Sequence, residues 1–103
     1  MNEVVKEYLT NYAKRLGFNT DNNTLFEILR EGNRVYSQKK RSHRWYDVLF
    51  VVVNIDGREI GFDDIYMTGD HNASDMGIDY DLESVCEVVK KEKTITYYEK
   101  YNP

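Results

Sequence analysis

The longest apolar run in the chain covers residues 45–55 and consists largely of valine, isoleucine and aromatic side chains. Branching at Cβ stiffens the side chain, so such a run makes a poor helix and a good strand. It is too short to cross a bilayer as a helix, which takes about 20 apolar residues. A strand that is apolar on both faces needs cover on each side. The pattern therefore predicts that 45–55 is the central strand of a sheet.

Apolar side chains recur at three- and four-residue steps over residues 3–16, which is the spacing of one helix face. Asn2 precedes this stretch in the position of an N-cap, and Gly17 follows it where a left-handed residue ends a helix. We predict an N-terminal helix that covers one face of the central strand. Its apolar stripe consists of Val4, Val5, Tyr8, Leu9, Tyr12 and Leu16.

Residues 24–31 fit two structures. Thr24 and Glu27 have the spacing of a capping box, which indicates a short helix that ends at Gly32. Alternating apolar and polar residues on both sides of the same glycine indicate a hairpin instead, with its return strand over 34–38. Because the residues after the glycine alternate directly as a strand, the hairpin is the favoured interpretation.

The second half of the chain carries the signals of further strands. An Asp-Gly corner at 56–57 joins the central strand to a strand over 59–67. A long loop over 68–81 follows, and a loop of this length in a small domain is more often functional than incidental. A helical turn at 81–84 and a last strand over 94–98 complete the prediction.

These elements add up to an α+β fold. We predict a single domain over residues 1–103, in which the N-terminal helix packs on a four- to five-stranded antiparallel sheet. The hydrophobic content of 41% is enough for a modest core.

The one cysteine, Cys86, excludes an internal disulfide and, in a stretch with valines, is expected to be an inert core residue. With neither a signal peptide nor a membrane-length apolar run, we expect a soluble, cytoplasmic protein without membrane contact.

Charge is separated along the chain. Bases dominate residues 30–44, where Glu31 is the single acid, and acids dominate residues 56–87, where Arg58 is the single base. The net charge of −4 conceals this division. Such a separation suggests two faces of opposite potential, which steer partners rather than specify a fold.

The acidic segment is the first candidate contact surface. Carboxylates spaced over a folded surface reproduce the charge pattern of a nucleic-acid backbone and fit a cationic groove of another protein. Tyrosines among them supply anchors for such an interface. The alternative is an acidic face that only keeps the protein in solution. The candidate residues are Asp63, Asp64, Tyr66, Asp70, Asp75, Asp79, Tyr80, Asp81 and Glu83.

The basic run that leads into the central strand is the second candidate. Lysines and arginines neutralise phosphates while adjacent aromatic rings stack on exposed bases. The alternative is a solvated hairpin tip whose charges keep the sheet edge soluble. The overall acidity of the chain weighs against nucleic acid as the partner. The residues of this candidate are Lys39, Lys40, Arg41, Arg44, Trp45 and Tyr46.

Patterns for metal binding and catalysis are weak. Oxygen ligands from Asp70 to Asp81 partly match a calcium loop, but Asp75 stands where the sharp turn needs glycine. His71 beside its aspartate and the lone Cys86 form no recognisable catalytic constellation. We therefore predict a protein that is not an enzyme and binds no metal or cofactor.

The compact one-domain size, the acidic loop over 63–83 and the Asp79-Tyr80-Asp81 cluster carry a resemblance of type. In these features the chain resembles the small, acidic, tyrosine-rich accessory proteins of phages and other mobile elements, among them anti-CRISPR and anti-restriction inhibitors. The resemblance implies a nucleic-acid mimic without chemistry of its own, which occludes a groove or locks a nuclease.

Three functions follow from these observations. The leading one is an inhibitor whose acidic face docks onto a cationic groove of a host nucleic-acid-processing or defence complex, so its partner is a protein with a basic surface. The second is a small nucleic-acid-binding module that uses the basic run. The third is a structural or regulatory subunit that self-associates through a sheet edge, with its oligomeric state left open.

Overall fold

The structure is a computed structural model that describes residues 1–68 and 81–101. Helices α1 and α2 pack on a four-stranded antiparallel sheet of order β1-β2-β3-β4, which confirms the predicted α+β fold. A 3₁₀ turn precedes the last strand. The elements are α1 (Glu3–Leu16), α2 (Asn22–Arg30), β1 (Asn33–Ser42), β2 (Tyr46–Ile55), β3 (Arg58–Met67), the turn (Leu82–Ser84) and β4 (Cys86–Glu87). No helix within the described ranges has both the length and the apolar character to cross a membrane.

Helix α1 begins and ends where its sequence predicts. The Asn2 side chain accepts a hydrogen bond from the backbone N–H of Val4 (2.8 Å), and Gly17 ends the helix with a φ of 78°. Val4 and Leu16 of the predicted stripe are exposed. The helix face that packs on the sheet is narrower than the predicted stripe, and its centre is shifted toward Ala13. The buried residues of the helix are Val5, Leu9 and Ala13.

The predicted hairpin over residues 24–31 is wrong, because these residues belong to α2. Asp21 caps the helix by accepting hydrogen bonds from the backbone N–H (2.8 Å) and hydroxyl (3.0 Å) of Thr24. Helical spacing brings three apolar side chains to the core, whereas a strand would divide them between its two faces. These side chains are Leu25, Phe26 and Leu29.

The cap of α2 is sensitive to pH. The hydrogen bonds that Thr24 donates from its backbone N–H and its hydroxyl lower the pKa of the Asp21 carboxyl. Because its pKa is lower in the folded state, the ionised carboxylate stabilises the fold. This contribution is fully present above the pKa of the unfolded state, about 3.9, and it is lost as the pH falls through the pKa of the folded state. We expect the Thr24 amide shift in an NMR titration to change below the ordinary aspartate range. The Asp21→Asn control should abolish that change, and a midpoint at the ordinary value contradicts the prediction.

Strand β2 lies between β1 and β3, as predicted for the central strand. On the face toward the helices, its Val51 and Val53 stand opposite Phe62 and Ile60 of β3, and all four are buried. This layer joins the buried helix residues in one core. The other side of the sheet, here called the second face, is also apolar along β2, where it carries Val48, Phe50 and Val52.

The predicted Asp-Gly corner connects β2 to β3. Asp56 and Gly57 have φ values of 52° and 92°, the left-handed conformation that a two-residue type I′ hairpin needs. The Tyr8 hydroxyl of α1 donates to the carbonyl oxygens of Ile55 and Asp56, and Arg15 pairs with the Asp56 carboxylate at 2.9 Å. These contacts fix the corner against the helix.

Glycine at position 61 lets two neighbouring side chains approach β3. A Cβ there would lie 2.7 Å from Phe50 Cζ and 2.8 Å from Val88 Cγ1. We expect Gly61→Ala to lower the free energy of unfolding by about 1–3 kcal/mol through overpacking, measured by urea denaturation. Adding Phe50→Leu removes the colliding ring atoms and should recover part of the loss. An unchanged stability of Gly61→Ala contradicts this.

The C-terminal part of the chain departs from the prediction. Residues 94–98, predicted to form the last strand, have no regular secondary structure, and Tyr98 is 96% exposed. The fourth strand is β4, which pairs with Ile60 and Gly61. Its Cys86 is exposed, so the prediction of a core cysteine is wrong; Val85 beside it is buried instead. The predicted helical turn at 81–84 is confirmed.

Candidate functional site

Among the described residues of the predicted acidic surface, Asp64 is the most buried, with 4% of its surface exposed. Its Oδ1 accepts hydrogen bonds from Arg30 Nε (3.1 Å) and the Ile65 backbone N–H (2.9 Å), and its Oδ2 accepts one from Arg34 (2.8 Å). Both carboxylate oxygens are therefore occupied within the molecule. Asp64 holds β3, the end of α2 and the start of β1 together, and it does not face a partner.

Other acids of the same segment also have internal partners. Asp63 pairs with Lys40 at 2.8 Å, and Glu87 pairs with Arg58 at 3.1 Å. Asp81 caps the 3₁₀ turn by accepting the N–H of Glu83 at 3.1 Å. The described part of the acidic segment is therefore largely paired rather than free.

Three predicted contact residues in the described part of this segment are accessible: Asp81 is exposed, and so are Tyr66 and Glu83. Tyr66 is 64% exposed, and the side chain of Glu83 is 92% exposed although it lies 3.6 Å from the N-terminal amine. The other four predicted residues, Asp70, Asp75, Asp79 and Tyr80, lie outside the described residues.

Antiparallel pairing explains why the two charged segments neutralise each other. Strand β1 carries the bases, and it runs beside β2 and one strand away from β3, which carry acids. Arg34 and Lys40 reach across β2 to Asp64 and Asp63, and Lys39 lies 3.6 Å from an aspartate of β2. Charges that are far apart in the sequence therefore meet in space.

The basic run forms an exposed hairpin end, here called the basic arm and defined as residues 39–46. All of β1 is exposed, and the turn that follows it is exposed too. Within the described part of the chain, Arg41 and Arg44 form no ion pair with a carboxylate. They are the cations of the arm that no carboxylate of residues 1–68 or 81–101 neutralises.

Aromatic rings lie at the tip of the basic arm. Trp45 is 38% exposed, and the Arg44 guanidinium lies over its ring at 4.8 Å from the centroid. His43 and Tyr46 stack at 4.5 Å with an interplanar angle of 15°. His43 was not among the predicted contact residues, although it stands within the basic run, just before Arg44 and the aromatic pair. The tip therefore combines cations with flat apolar surfaces.

Strand β1 and the part of β3 that β4 does not cover form edges of the sheet, and both carry features that hinder strand addition. Strand β1 has irregularities at Val35 and at Lys40, where its register with β2 shifts, and its bases add charge. On β3, the N–H of Asp63 donates to Ser84 Oγ and the N–H of Ile65 donates to the aspartate between them, both at 2.9 Å. These features lend little support to self-association through an edge.

Comparisons with models of protein families, with curated proteins and with solved structures find no match. The resemblance to phage accessory inhibitors therefore stays a prediction.

Among residues 1–68 and 81–101, no three histidine, cysteine, aspartate or glutamate side chains group in a way that could hold a metal ion. Functional inference rests on the surface features described above.

Proposed function

We propose that this is a non-enzymatic binding protein that contacts single-stranded nucleic acid through the basic arm. The observation that carries the proposal is a pair of exposed arginines, Arg41 and Arg44, which form no ion pair among the described residues and lie beside the accessible ring of Trp45. Cations that neutralise phosphates supply affinity, and aromatic rings that stack on bases add about 1–3 kcal/mol per base.

The lysines of the arm can join such a contact. Lys39 and Lys40 pair with carboxylates, but their own side chains are 58% and 44% exposed. Because the lysine ends of these pairs reach water, they can approach a phosphate without leaving their carboxylates, which are only 20% and 15% exposed. The register places Arg41 opposite Val48 on the second face and Lys39 opposite Leu49 on the helix face. A strand of nucleic acid therefore meets cations on either side of the arm.

The experiment is fluorescence anisotropy with labelled single-stranded and duplex oligonucleotides at two salt concentrations. We expect Arg41→Gln/Arg44→Gln to reduce the slope of log affinity against log salt by about 1.4, which is about 0.7 per phosphate contact. Trp45→Ala should weaken single-strand binding roughly 5- to 150-fold, the equivalent of one lost stacking contact.

A matched control is Lys6→Gln/Lys14→Gln, which removes two exposed charges from α1, away from the arm. The affinity of this control variant for single-stranded oligonucleotides should stay close to that of the unaltered protein. Absence of binding at low salt, or an equal loss in the control, contradicts the proposal.

The inhibitor is the second candidate, favoured by the exposure of Tyr66 and Glu83. Here an acidic surface docks onto a cationic groove of a host nucleic-acid-processing or defence complex. Because Asp63 and Asp64 are internally paired, this surface depends on the remaining candidates. Those are Tyr66, Asp70, Asp75, Asp79, Tyr80, Asp81 and Glu83.

A pull-down from a bacterial lysate tests the inhibitor directly. We expect a captured partner to be lost when Asp70, Asp75 and Asp79 are changed together to asparagine. The control is Asp63→Asn, which removes an internally paired charge from the same segment. Retention of the same partner by the triple variant overturns this candidate.

A further inference from the structure

A groove of about 500 Å³ lies on the second face of the sheet, beside the segment that follows β4. Val35 and Tyr36 of β1 and Phe50 and Val52 of β2 line it, and residues 88–91 form the opposite wall. We propose that this groove binds a small amphipathic carboxylate, an apolar chain with one anionic head. This site is separate from the basic arm and does not depend on the nucleic-acid proposal.

The size and lining of the groove match a small-molecule site. Such sites measure about 300–1,000 Å³ and combine a mostly apolar lining with a few polar groups. Val52 at the floor is 7% exposed, and the missing Cβ of Gly61 lets Phe50 and Val88 pack above β3. The groove therefore has a fixed apolar floor and a wall that depends on a specific glycine.

Two lysines on the wall of the groove indicate that the head group of the ligand is anionic. Lys90 and Lys91 both line the wall, while Glu59 is the acid of the lining. Lys90 reaches Glu92 only at 3.9 Å, and Lys91 forms no ion pair within the described ranges. Lysine stems cover apolar surface while their ammonium groups stay in water, so an apolar chain in the groove places its head beside them. Carboxylate is the matching head group.

A free molecule fits this geometry better than a membrane surface. The apolar floor lies between β1 and the wall, so a single chain can enter it. Val52 at the floor is only 7% exposed, so a flat surface laid across the groove reaches little of it. We therefore assign the site to a free acid.

The experiment compares three probes that share one tail: decanoate and decyltrimethylammonium, each below its micelle concentration, and decanol below its solubility limit. Titrations of the full chain are followed through the methyl NMR signals of Val35, Val52 and Val88. We expect saturable shifts at these methyls, with affinity highest for decanoate and lowest for the cation.

Two variants separate head and tail recognition. Lys90→Glu/Lys91→Glu should weaken decanoate binding roughly tenfold, as expected for losing a contact to a charged group, and leave decanol binding unchanged. Val35→Trp fills the groove at an exposed position of β1 and should weaken both ligands.

The control Lys6→Glu/Lys14→Glu makes the same charge change on α1 and should leave all three affinities unaltered. Arg41→Gln/Arg44→Gln should also leave decanoate binding intact, which distinguishes this site from the basic arm. Equal binding of the three probes, shifts spread over the helices, or an unaffected Lys90→Glu/Lys91→Glu variant would each overturn the assignment.

Discussion

Asp64→Asn is expected to lower the free energy of unfolding by about 2–3 kcal/mol. The substitution leaves two arginines beside a neutral amide, and breaking a fully buried ion pair in this way costs about 3–5 kcal/mol. The expected loss is smaller here because Arg30 and Arg34 are 31% and 46% exposed and keep part of their hydration. Urea denaturation followed by circular dichroism measures the effect.

The control for this prediction is Asp63→Asn, the same change one residue earlier on the other face of β3. Asp63 makes one ion pair, with a lysine that is 44% exposed, so its loss should stay below about 1 kcal/mol. If the two variants are equally stable, Asp64 is not the joint between α2, β1 and β3.

Phe62→Ala should be the most destabilising single change, with a loss of about 3–5 kcal/mol. Phe62 is fully buried opposite Val51, and its ring meets Phe26 of α2 edge to face, with centroids 5.3 Å apart. Removing it leaves a cavity where the sheet and α2 meet, and it removes the aromatic pair as well. The midpoint of urea unfolding should fall accordingly.

Tyr66→Ala is the matched control for Phe62→Ala. Tyr66 lies on the same strand and the same face, four residues on, but it is 64% exposed. Its removal should change stability by no more than about 0.5 kcal/mol. Similar losses in both variants would show that the core is not centred where β3 crosses α2.

Local signals were enough to predict α1, the central strand and the corner between β2 and β3. The Asn2 cap and Gly17 act within one helical turn, and the Asp56-Gly57 pair sets its own turn conformation. The branched residues of β2 specify a strand because few other conformations suit them. None of these features needs a distant partner.

Helix α2 and the C-terminal segment were mispredicted because their signals are ambiguous without the rest of the fold. Residues 24–31 satisfy both a helical and an alternating pattern, and the choice depends on burying three side chains under the sheet at once. Residues 94–98 have strand-forming side chains, yet on the edge of β3 the N–H groups of Asp63 and Ile65 are already satisfied by Ser84 and Asp64. Strand propensity acts only where an edge is open.

The sequence by itself determined the fold class, the first helix, the central strand and the amount of charge in each segment, because these depend on residues close together in the chain. Only the tertiary structure decided which charges are free. Antiparallel pairing set Arg34 and Lys40 across from Asp64 and Asp63, and left Arg41 and Arg44 without carboxylates within the described residues. The attraction between two charges falls with their separation in space, and distance along the chain does not reveal that separation.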